Sequence, residues 1–335
     1  MGMASGSGRI AGGFGRSFLS IGFPSRRLCA TLAGMNRFSS LFSILFSLLA
    51  AVAAAGQLNL QLENDFPWHD DADYTHGTRI EYVQDAFRFG VQQQMYTPLD
   101  LRNADQVPGR HPYAGTLLGF VGYKEPERLT DSLSFYHDVE LYAGVIGPSS
   151  HADDVQRFIH KVLGCKDPKG WDNQLHDEFE IGLSYWPGLD WRIAGEDYGW
   201  SLHWVNEIGG LLGTLQIAGG ANTELKLGYG FGDAEDDHEI RVRAVRAPAG
   251  HVYVLAGAEG RVWGRNELLE GNASYVHNNV TIPVEMETLT GCLKAGVGAR
   301  YKNLEARCLW MWWSREYKTQ ESVPHYMSLT VSWRF

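Results

Sequence analysis

Alternating apolar and polar residues dominate the C-terminal part of the chain. In residues 325–335 every second residue, from Met327 to Phe335, is apolar, and the residues between them are mostly polar. Residues 293–301 and 304–312 repeat the alternation on both sides of a Lys302-Asn303 turn. Successive side chains of a β-strand point to opposite sides of its sheet, so a period of two predicts antiparallel strands here.

The make-up of the apolar faces favours one class of β-protein. A soluble β-sandwich also alternates, but Trp and Tyr recur here near the strand ends, as in the aromatic girdles of outer-membrane barrels. The last strand ends on an aromatic residue, which resembles the recognition signal of such barrels. No 18 consecutive residues after residue 56 are apolar, which excludes helical membrane spans. The pattern therefore predicts an all-β fold, a transmembrane antiparallel β-barrel.

The length of the chain sets the expected number of strands. About 279 residues follow residue 56, and a barrel strand with its connection uses roughly 20 to 25 residues. We therefore expect about 12 strands, since bacterial barrels have an even number, and one barrel with no second domain.

One segment has a helical rather than a strand pattern. Residues 149–163 follow a Gly147-Pro148 breaker, offer Ser residues as N-caps and end before Gly164, a typical helix stop. Helical spacing predicts an apolar stripe and, beside it, a polar stripe. The first contains Val155, Phe158, Ile159 and Val162, and the second contains Asp153, Gln156 and His160. A helix inserted between barrel strands must lie in a loop, which predicts a short helix in an extracellular loop.

The first 56 residues are typical of export. Arg37 precedes an apolar run from Phe38 to Val52 and the small residues 53–56, so a signal peptidase is expected to cleave near Ala55 or Gly56. A single transmembrane anchor is the alternative, although it needs roughly 20 apolar residues. Residues 1–34 are either an extended n-region of the signal peptide or the result of a misassigned start of translation upstream of Met35. The sequence thus divides into an N-terminal extension with a signal peptide, 1–56, and a barrel, 57–335.

Charge and cysteine content narrow the function further. The leader contains five Arg and no acidic residue, so removing it from the 29 basic residues leaves 24 against 39 acidic ones, a formal charge of −15. This balance argues against a nucleic-acid partner.

Three cysteines remain after the leader is removed, and their spacing matches no metal-binding or redox motif. Pairing around the Lys302-Asn303 turn would place Cys308 opposite Val297, on the other face from Cys292, so we expect no disulfide.

Polar residues cluster where the first predicted strand ends. Asn64 continues the face that carries Leu58, Leu60 and Leu62, and a polar amide in a lipid-facing row is costly unless it meets water, a metal or a substrate head group. The alternative is that the strand has already left the membrane. Acidic residues follow at Asp70, Asp71 and Asp73. They suit a hard cation such as Ca²⁺, or they form a solvated loop.

Seven short motifs follow one another in the first half of the barrel region. They are ENDF at 63–66, DYTHG at 73–77, MYTP at 95–98, PYAG at 112–115, GVIGP at 144–148, QRFIH at 156–160 and GWDNQL at 170–175. In this order they resemble the outer-membrane lipid A 3′-O-deacylase family. The resemblance implies a barrel of about 12 strands whose active site lies between the outer wall and a helix of an extracellular loop.

The resemblance also implies roles for individual residues. His160 matches the base that activates water, Gln156 a positioning group, and Asn64 and Thr75 the polar residues on the strands. Asp65 and Asn64 match the ligands of a Ca²⁺ that stabilises the oxyanion. The substrate would be lipid A of lipopolysaccharide, reached among the lipids of the outer membrane.

Elementary chemistry agrees with this assignment. Ester hydrolysis needs a base that titrates near neutral pH, which His provides, and positive charge at the carbonyl oxygen, which a cation provides. No Gly-x-Ser-x-Gly motif points to an acyl-enzyme. One feature departs from the family: a Lys expected after the MYTP motif is absent, and Arg102 lies nearby, which puts contacts to substrate phosphates in doubt.

Two alternative functions stay open on the sequence alone. An outer-membrane phospholipase would share the Ca²⁺ and the His but normally uses a Ser nucleophile. A non-enzymatic, porin-like barrel would share the polar lumen. The sequence does not predict an oligomeric state.

Overall fold

Thirteen antiparallel strands form a single sheet in the structure, a computed structural model that describes residues 56–65, 73–195, 200–229, 250–272, 284–321 and 323–335. The strands are β1 (Gln57–Asn64), β2 (Asp73–Gln84), β3 (Phe87–Thr97), β4 (Ala114–Arg128), β5 (Leu133–Ile146), β6 (Glu178–Tyr185), β7 (Gly188–Gly195), β8 (Trp200–Gly213), β9 (Gln216–Tyr229), β10 (Gly250–Asn266), β11 (Leu289–Tyr301), β12 (Leu304–Trp313) and β13 (His325–Arg334). The described helices are α1 (Ala152–Leu163) and α2 (Glu267–Glu270). The predicted leader lies outside the described residues, apart from Gly56.

The sheet closes on itself. Each strand pairs with a neighbour on both sides, and the ring is completed where β1 pairs with β13, with Gln57 opposite Arg334 and Asn64 opposite Met327. Backbone hydrogen bonds between Gly56 and Phe335 extend this seam by one residue. A closed barrel leaves no open edge, which is what a strand-built membrane protein requires.

Two of the thirteen strands occupy one position of the barrel. β6 and β7 pair with the same two neighbours, β5 and β8, and keep one register: Tyr185 lies opposite Val139 and Gly188 opposite Tyr136. The interruption falls at Trp186-Pro187, because Pro has no N–H to give to a ladder. The barrel therefore has twelve strand positions, and the predicted fold class is confirmed.

The predicted two faces are present along the strands. In β1, Gln57, Asn59 and Gln61 line the lumen, whereas Leu60 and Leu62 are exposed on the outer wall. In β13, Ser328 and Thr330 line the lumen, and the apolar residues between them face outward, as the alternation predicts.

The lumen is crossed by ionic contacts. Arg79 of β2 donates to Glu140 of β5 at 2.7 Å, although these strands are not neighbours, and Arg88 contacts Asp138 and Glu140. Tyr136 of β5 donates to Glu207 of β8 in the same way. The space that remains in the lumen is about 410 Å³.

The two ends of the barrel differ. The connection that carries α1, residues 147–177, and the connection 98–113 lie at one end, together with the short turn 214–215. The turns 85–86, 129–132 and 302–303 lie at the other end, together with Tyr229 and Gly250, which bound the β9–β10 connection, and with the paired barrel ends Gln57 and Arg334. Long loops of bacterial barrels are extracellular and short turns periplasmic, so α1 lies at the extracellular end. In the described residues no helix is long and apolar enough to cross a membrane.

The cysteine prediction is also confirmed. Cys308 lies opposite Val297, and Cys165, Cys292 and Cys308 are all free thiols.

Candidate active site on the outer wall

Asn64, the last residue of β1, faces outward at the extracellular end. The neighbouring Glu63 and Gln61 line the lumen, so alternation places Asn64 in the outward row with Leu60 and Leu62. Its amide nitrogen donates to the carbonyl oxygen of Thr75 at 3.0 Å. This bond fixes the amide plane and turns the amide oxygen away from the Thr75 carbonyl.

Thr75 owes its direction to an irregularity in β2. The pairing with β3 shifts between Tyr74 and His76, so Thr75 is the extra residue of a β-bulge. Without it, alternation would aim Thr75 into the lumen with Gly77 and Arg79. Instead the buried Thr75 hydroxyl lies 2.7 Å from the hydroxyl of Thr97, at the end of β3. Asn64, Thr75 and Thr97 thus form one hydrogen-bonded row on the outer wall.

Two of the acidic residues that follow β1, Asp65 and Asp73, are described by the structure. Asp65 is buried, at 5% exposure, directly beside Asn64. Asp70 and Asp71 lie outside the described residues. Asp73 is buried, and its carboxylate accepts hydrogen bonds from Tyr317 and Gln320, each at 2.7 Å. Asp73 thus holds the connection between β12 and β13. The alternative prediction that it belongs to a solvated loop is wrong.

Helix α1 lies on the outer wall over β3 and β4. Ala152 belongs to a buried apolar cluster with Met95 and Trp171, and Gln93 donates to the carbonyl of Ser150 at 2.7 Å. Gly115 of β4 lies beneath, where an added Cβ would clash with Ala152 and Ser150. Met95 lies opposite Gly115 in the outward row of β3, whereas Gln94 faces the lumen. The helix therefore packs against the wall from the lipid side.

The start of α1 differs from the prediction. Pro148 opens a 3₁₀ turn that takes up both Ser149 and Ser150, and the His151 backbone N–H closes it on the Pro148 carbonyl. The helix therefore begins at Ala152 after His151, which adopts a left-handed conformation with φ 55°, and no Ser acts as its cap. The predicted stop at Gly164, with φ 74°, is confirmed.

The two sides of α1 are partly reversed relative to a helix in water, although Val155 of the apolar stripe still packs against the buried cluster of Ala152 and Trp171. The residues turned to the wall and buried are Ala152, Gln156 and His160. Phe158 and Val162 of the apolar stripe are 64% and 66% exposed. On the wall of a membrane barrel, exposed apolar side chains contact lipid. In this orientation the polar residues therefore lie in the gap between the helix and the wall.

Hydrogen bonds fix both polar side chains of α1. The His160 Nδ1 contacts the Lys166 carbonyl oxygen. A carbonyl oxygen only accepts, so Nδ1 carries the proton in the neutral ring and Nε2 is the basic nitrogen. The Gln156 Oε1 accepts from the Trp171 indole at 2.6 Å, which fixes the orientation of the amide and so identifies its other atom as the nitrogen donor. Trp171 is buried, with its ring 5.1 Å from that of Tyr113.

β3 connects the two sets of site residues. Thr97 contacts Thr75 of the strand-borne row, and Met95, two residues earlier, packs in the cluster with Ala152 of α1. The sequence motifs contained Thr97, Met95 and Gly115 without indicating their roles. Arg102, nearest to the missing family Lys, pairs with Asp100 at 3.0 Å and is exposed.

Trp171→Phe tests whether Gln156 acts as a positioned group. The change keeps a large ring in the cluster but removes the donor that fixes the Gln156 amide, so we expect the rate of substrate turnover to fall about 3- to 10-fold, in line with the loss of about 1 kcal/mol of one hydrogen bond. Melting of the barrel should be nearly unchanged. A Gln156→Leu variant, which removes the acceptor, should lose at least as much activity, and no further loss in the double variant would support the pairing; additive losses would contradict it.

Comparisons with known proteins identify the family and agree with the fold. A family model described as outer membrane protein LpxR matches residues 38–335. Among solved structures, LpxR from Salmonella typhimurium is similar with a TM-score of 0.69 and 19% identity, over 83% of this chain and 100% of that chain. KdgM porin follows at a TM-score of 0.36 and 8% identity, over 83% and 99% of the two chains. No curated protein matches the sequence significantly.

Proposed function

Because the chain belongs to the LpxR family of outer membrane proteins, the lipid A deacylase family that its motifs resemble, we propose that it hydrolyses the 3′-linked acyl or acyloxyacyl chain of lipid A. The observation that carries this proposal is the partly reversed helix. Gln156 and His160 are buried on the side of α1 that packs against the outer wall, and β3, which the helix contacts, ends in Thr97 of the Asn64 row. A lipid in the outer leaflet can reach that gap sideways without entering the lumen.

His160 is the base in this proposal. Its Nε2 takes a proton from water as the water oxygen attacks the ester carbonyl carbon. The tetrahedral intermediate then breaks its bond to the sugar oxygen, and the imidazolium returns the proton to that oxygen. The products are a fatty acid and a sugar hydroxyl, and no side chain is acylated. The Lys166 carbonyl stabilises the imidazolium through Nδ1.

The residues beside Asn64 fit a Ca²⁺. Asp65 offers a buried carboxylate, and the hydrogen bond from the Asn64 nitrogen to Thr75 presents the amide oxygen. Carboxylate and amide oxygens are the donors that Ca²⁺ prefers. A Ca²⁺ bound there would supply positive charge to the oxyanion. The Gln156 amide nitrogen, fixed by Trp171, is the donor on the helix side of the gap.

The alternatives receive less support. A phospholipase of this kind normally needs a Ser nucleophile, and the chain has no Gly-x-Ser-x-Gly motif. Polar contacts cross the lumen between strands that are not neighbours, such as Arg79 to Glu140 and Tyr136 to Glu207. These contacts narrow the lumen and so do not favour a wide channel. Purified protein offered lipid A or glycerophospholipid in the same micelles should release fatty acid only from lipid A. Equal release from both would favour the phospholipase, and conductance without release would favour the channel.

Asp65→Asn tests the cation site. The change removes one charge from the proposed ligands, so the Ca²⁺ concentration needed for half-maximal fatty-acid release should rise at least about 10-fold, since a single charge at such a site is worth more than about 1.4 kcal/mol. Chelation should stop release by the wild type, and Ca²⁺ should restore it. Asp154→Asn, an exposed change at the start of α1, is the matched control. Release by the wild type that chelator leaves intact would remove Ca²⁺ from the proposal.

A further inference from the structure

Three Glu side chains converge at the extracellular mouth of the lumen. Glu178 and Glu180 belong to β6, where Phe179 and Ile181 are exposed on the outer wall, so alternation turns both carboxylates inward. Glu267 begins α2, and its backbone N–H donates to Leu215 at 3.0 Å. One carboxylate oxygen from each of the three lies within 4.8 Å of the others.

Burial makes this cluster unusual. Glu180 and Glu267 are 1% and 2% exposed. The Thr214 hydroxyl donates to Glu180 at 2.5 Å, and Arg265 pairs with one oxygen of Glu267. The other oxygen of Glu267, Oε2, is buried without a hydrogen-bond partner among the described residues. A buried carboxylate oxygen left without a donor is costly, which points to a ligand that the protein atoms do not supply.

The charges lead to the same conclusion. Carboxylates this close together and this deeply buried repel one another when they are ionised, because little water screens their charges. Arg265, the cationic partner of Glu267, is 43% exposed and so offsets the repulsion only in part. A divalent cation would satisfy the orphaned oxygen and the repulsion together.

We propose that Glu178, Glu180 and Glu267 bind a Ca²⁺ inside the barrel mouth, a site separate from the proposed hydrolysis on the outer wall. The donors are all hard oxygens. Three oxygens within 4.8 Å of one another share a centre that is at most about 2.8 Å from each of them, so a Ca²⁺ at about 2.4 Å needs less closure of the cluster than a Mg²⁺ at about 2.1 Å. The cluster therefore fits Ca²⁺ with little movement.

Such a site would stabilise a particular part of the protein. β6 follows directly on the connection that carries α1, and α2 follows β10, so the cation ties together two segments that are distant in sequence. Its role is structural and does not depend on any reaction at the outer wall.

Melting with and without Ca²⁺ tests the site. All variants are made in an Asp65→Asn background, which weakens the proposed outer-wall site, so the result is independent of the proposed function. In chelator, Glu267→Gln should melt at or above the background protein, because it removes a repelling charge. In Ca²⁺ the order should reverse, since only the intact cluster gains stability from the cation. Glu285→Gln, an exposed change, is the control and should follow the background in both conditions.

Calorimetric titration of the same proteins with Ca²⁺ measures binding directly. We expect one site in the background protein, at least 10-fold weaker affinity after Glu180→Gln or Glu267→Gln, and no change after Glu285→Gln. Two results would overturn the proposal: a background protein that neither binds Ca²⁺ nor gains stability from it, or a Glu267→Gln variant destabilised equally in chelator and Ca²⁺. The second result would mean that Glu267 acts only through Arg265.

Discussion

His160→Ala is expected to lower the rate of fatty-acid release from lipid A by about 10²- to 10⁴-fold, the usual contribution of a positioned general base. The His160 Nδ1 is committed to the Lys166 carbonyl, so the whole effect should come from losing Nε2. The barrel should stay folded, because His160 lies on α1 and contributes nothing to the strand pairing that closes the sheet. Mass spectrometry of lipid A with purified variant protein measures the loss.

A second His on the same segment supplies the matched control. His151 is exposed and adopts a left-handed backbone, which Asn tolerates better than most residues, so His151→Asn should retain nearly full activity. Release by His160→Ala at more than a tenth of the wild-type rate would remove His160 as the base. The strand-borne row of Asn64, Thr75 and Thr97 would then need another partner.

Gly115→Ala should have the next largest effect, although it adds only one methyl group. The new Cβ would clash with Ala152 and Ser150, so α1 must move off the wall. Overpacking of this kind costs about 1–3 kcal/mol. Because the clash lies under the helix that carries Gln156 and His160, we expect at least a 10-fold loss of activity with a barrel that still resists unfolding by detergent.

Gly119 makes this a controlled comparison. It lies in the outward row of the same strand, and an added Cβ there would meet only ordinary contacts, the nearest an oxygen at 3.8 Å. Gly119→Ala should therefore be nearly neutral. Adding Ala152→Gly to Gly115→Ala removes one of the two clashing partners and should restore part of the activity. Equal activities of the two Gly variants would show that close packing of α1 is not needed.

The period-two pattern was enough to predict the barrel and its two faces, and the length of the chain predicted about twelve strands. The pattern is informative because every strand has lipid on one side and a polar lumen on the other. The polarity of each residue therefore indicates which side of the wall its side chain faces. The position of Cys308 opposite Val297 followed from the same register argument. A break such as Trp186-Pro187 changes the number of strands without changing the register.

The arrangement of the candidate site was harder to predict, because it depends on packing between segments. The direction of Thr75 is set by a bulge, which adds one residue without any signal in the alternation. The apolar stripe of α1 says which side is apolar but not that this side turns away from the wall. The cluster of Glu178 and Glu180 with Glu267 could not be predicted, because Glu267 is far away in sequence and only the fold brings it to the other two.

The pairing of β1 with β13 has a consequence for how the protein is made. Gln61 donates to Ser328 at 3.2 Å across 267 residues of sequence, so this ladder cannot form until the last strand has been synthesised and exported. Until then the first strand, which ends in Asn64, is an open edge that invites pairing with other chains. Closure of the barrel therefore waits for the last strand, and a chain shortened by that strand should not insert as a smaller barrel but aggregate in the periplasm.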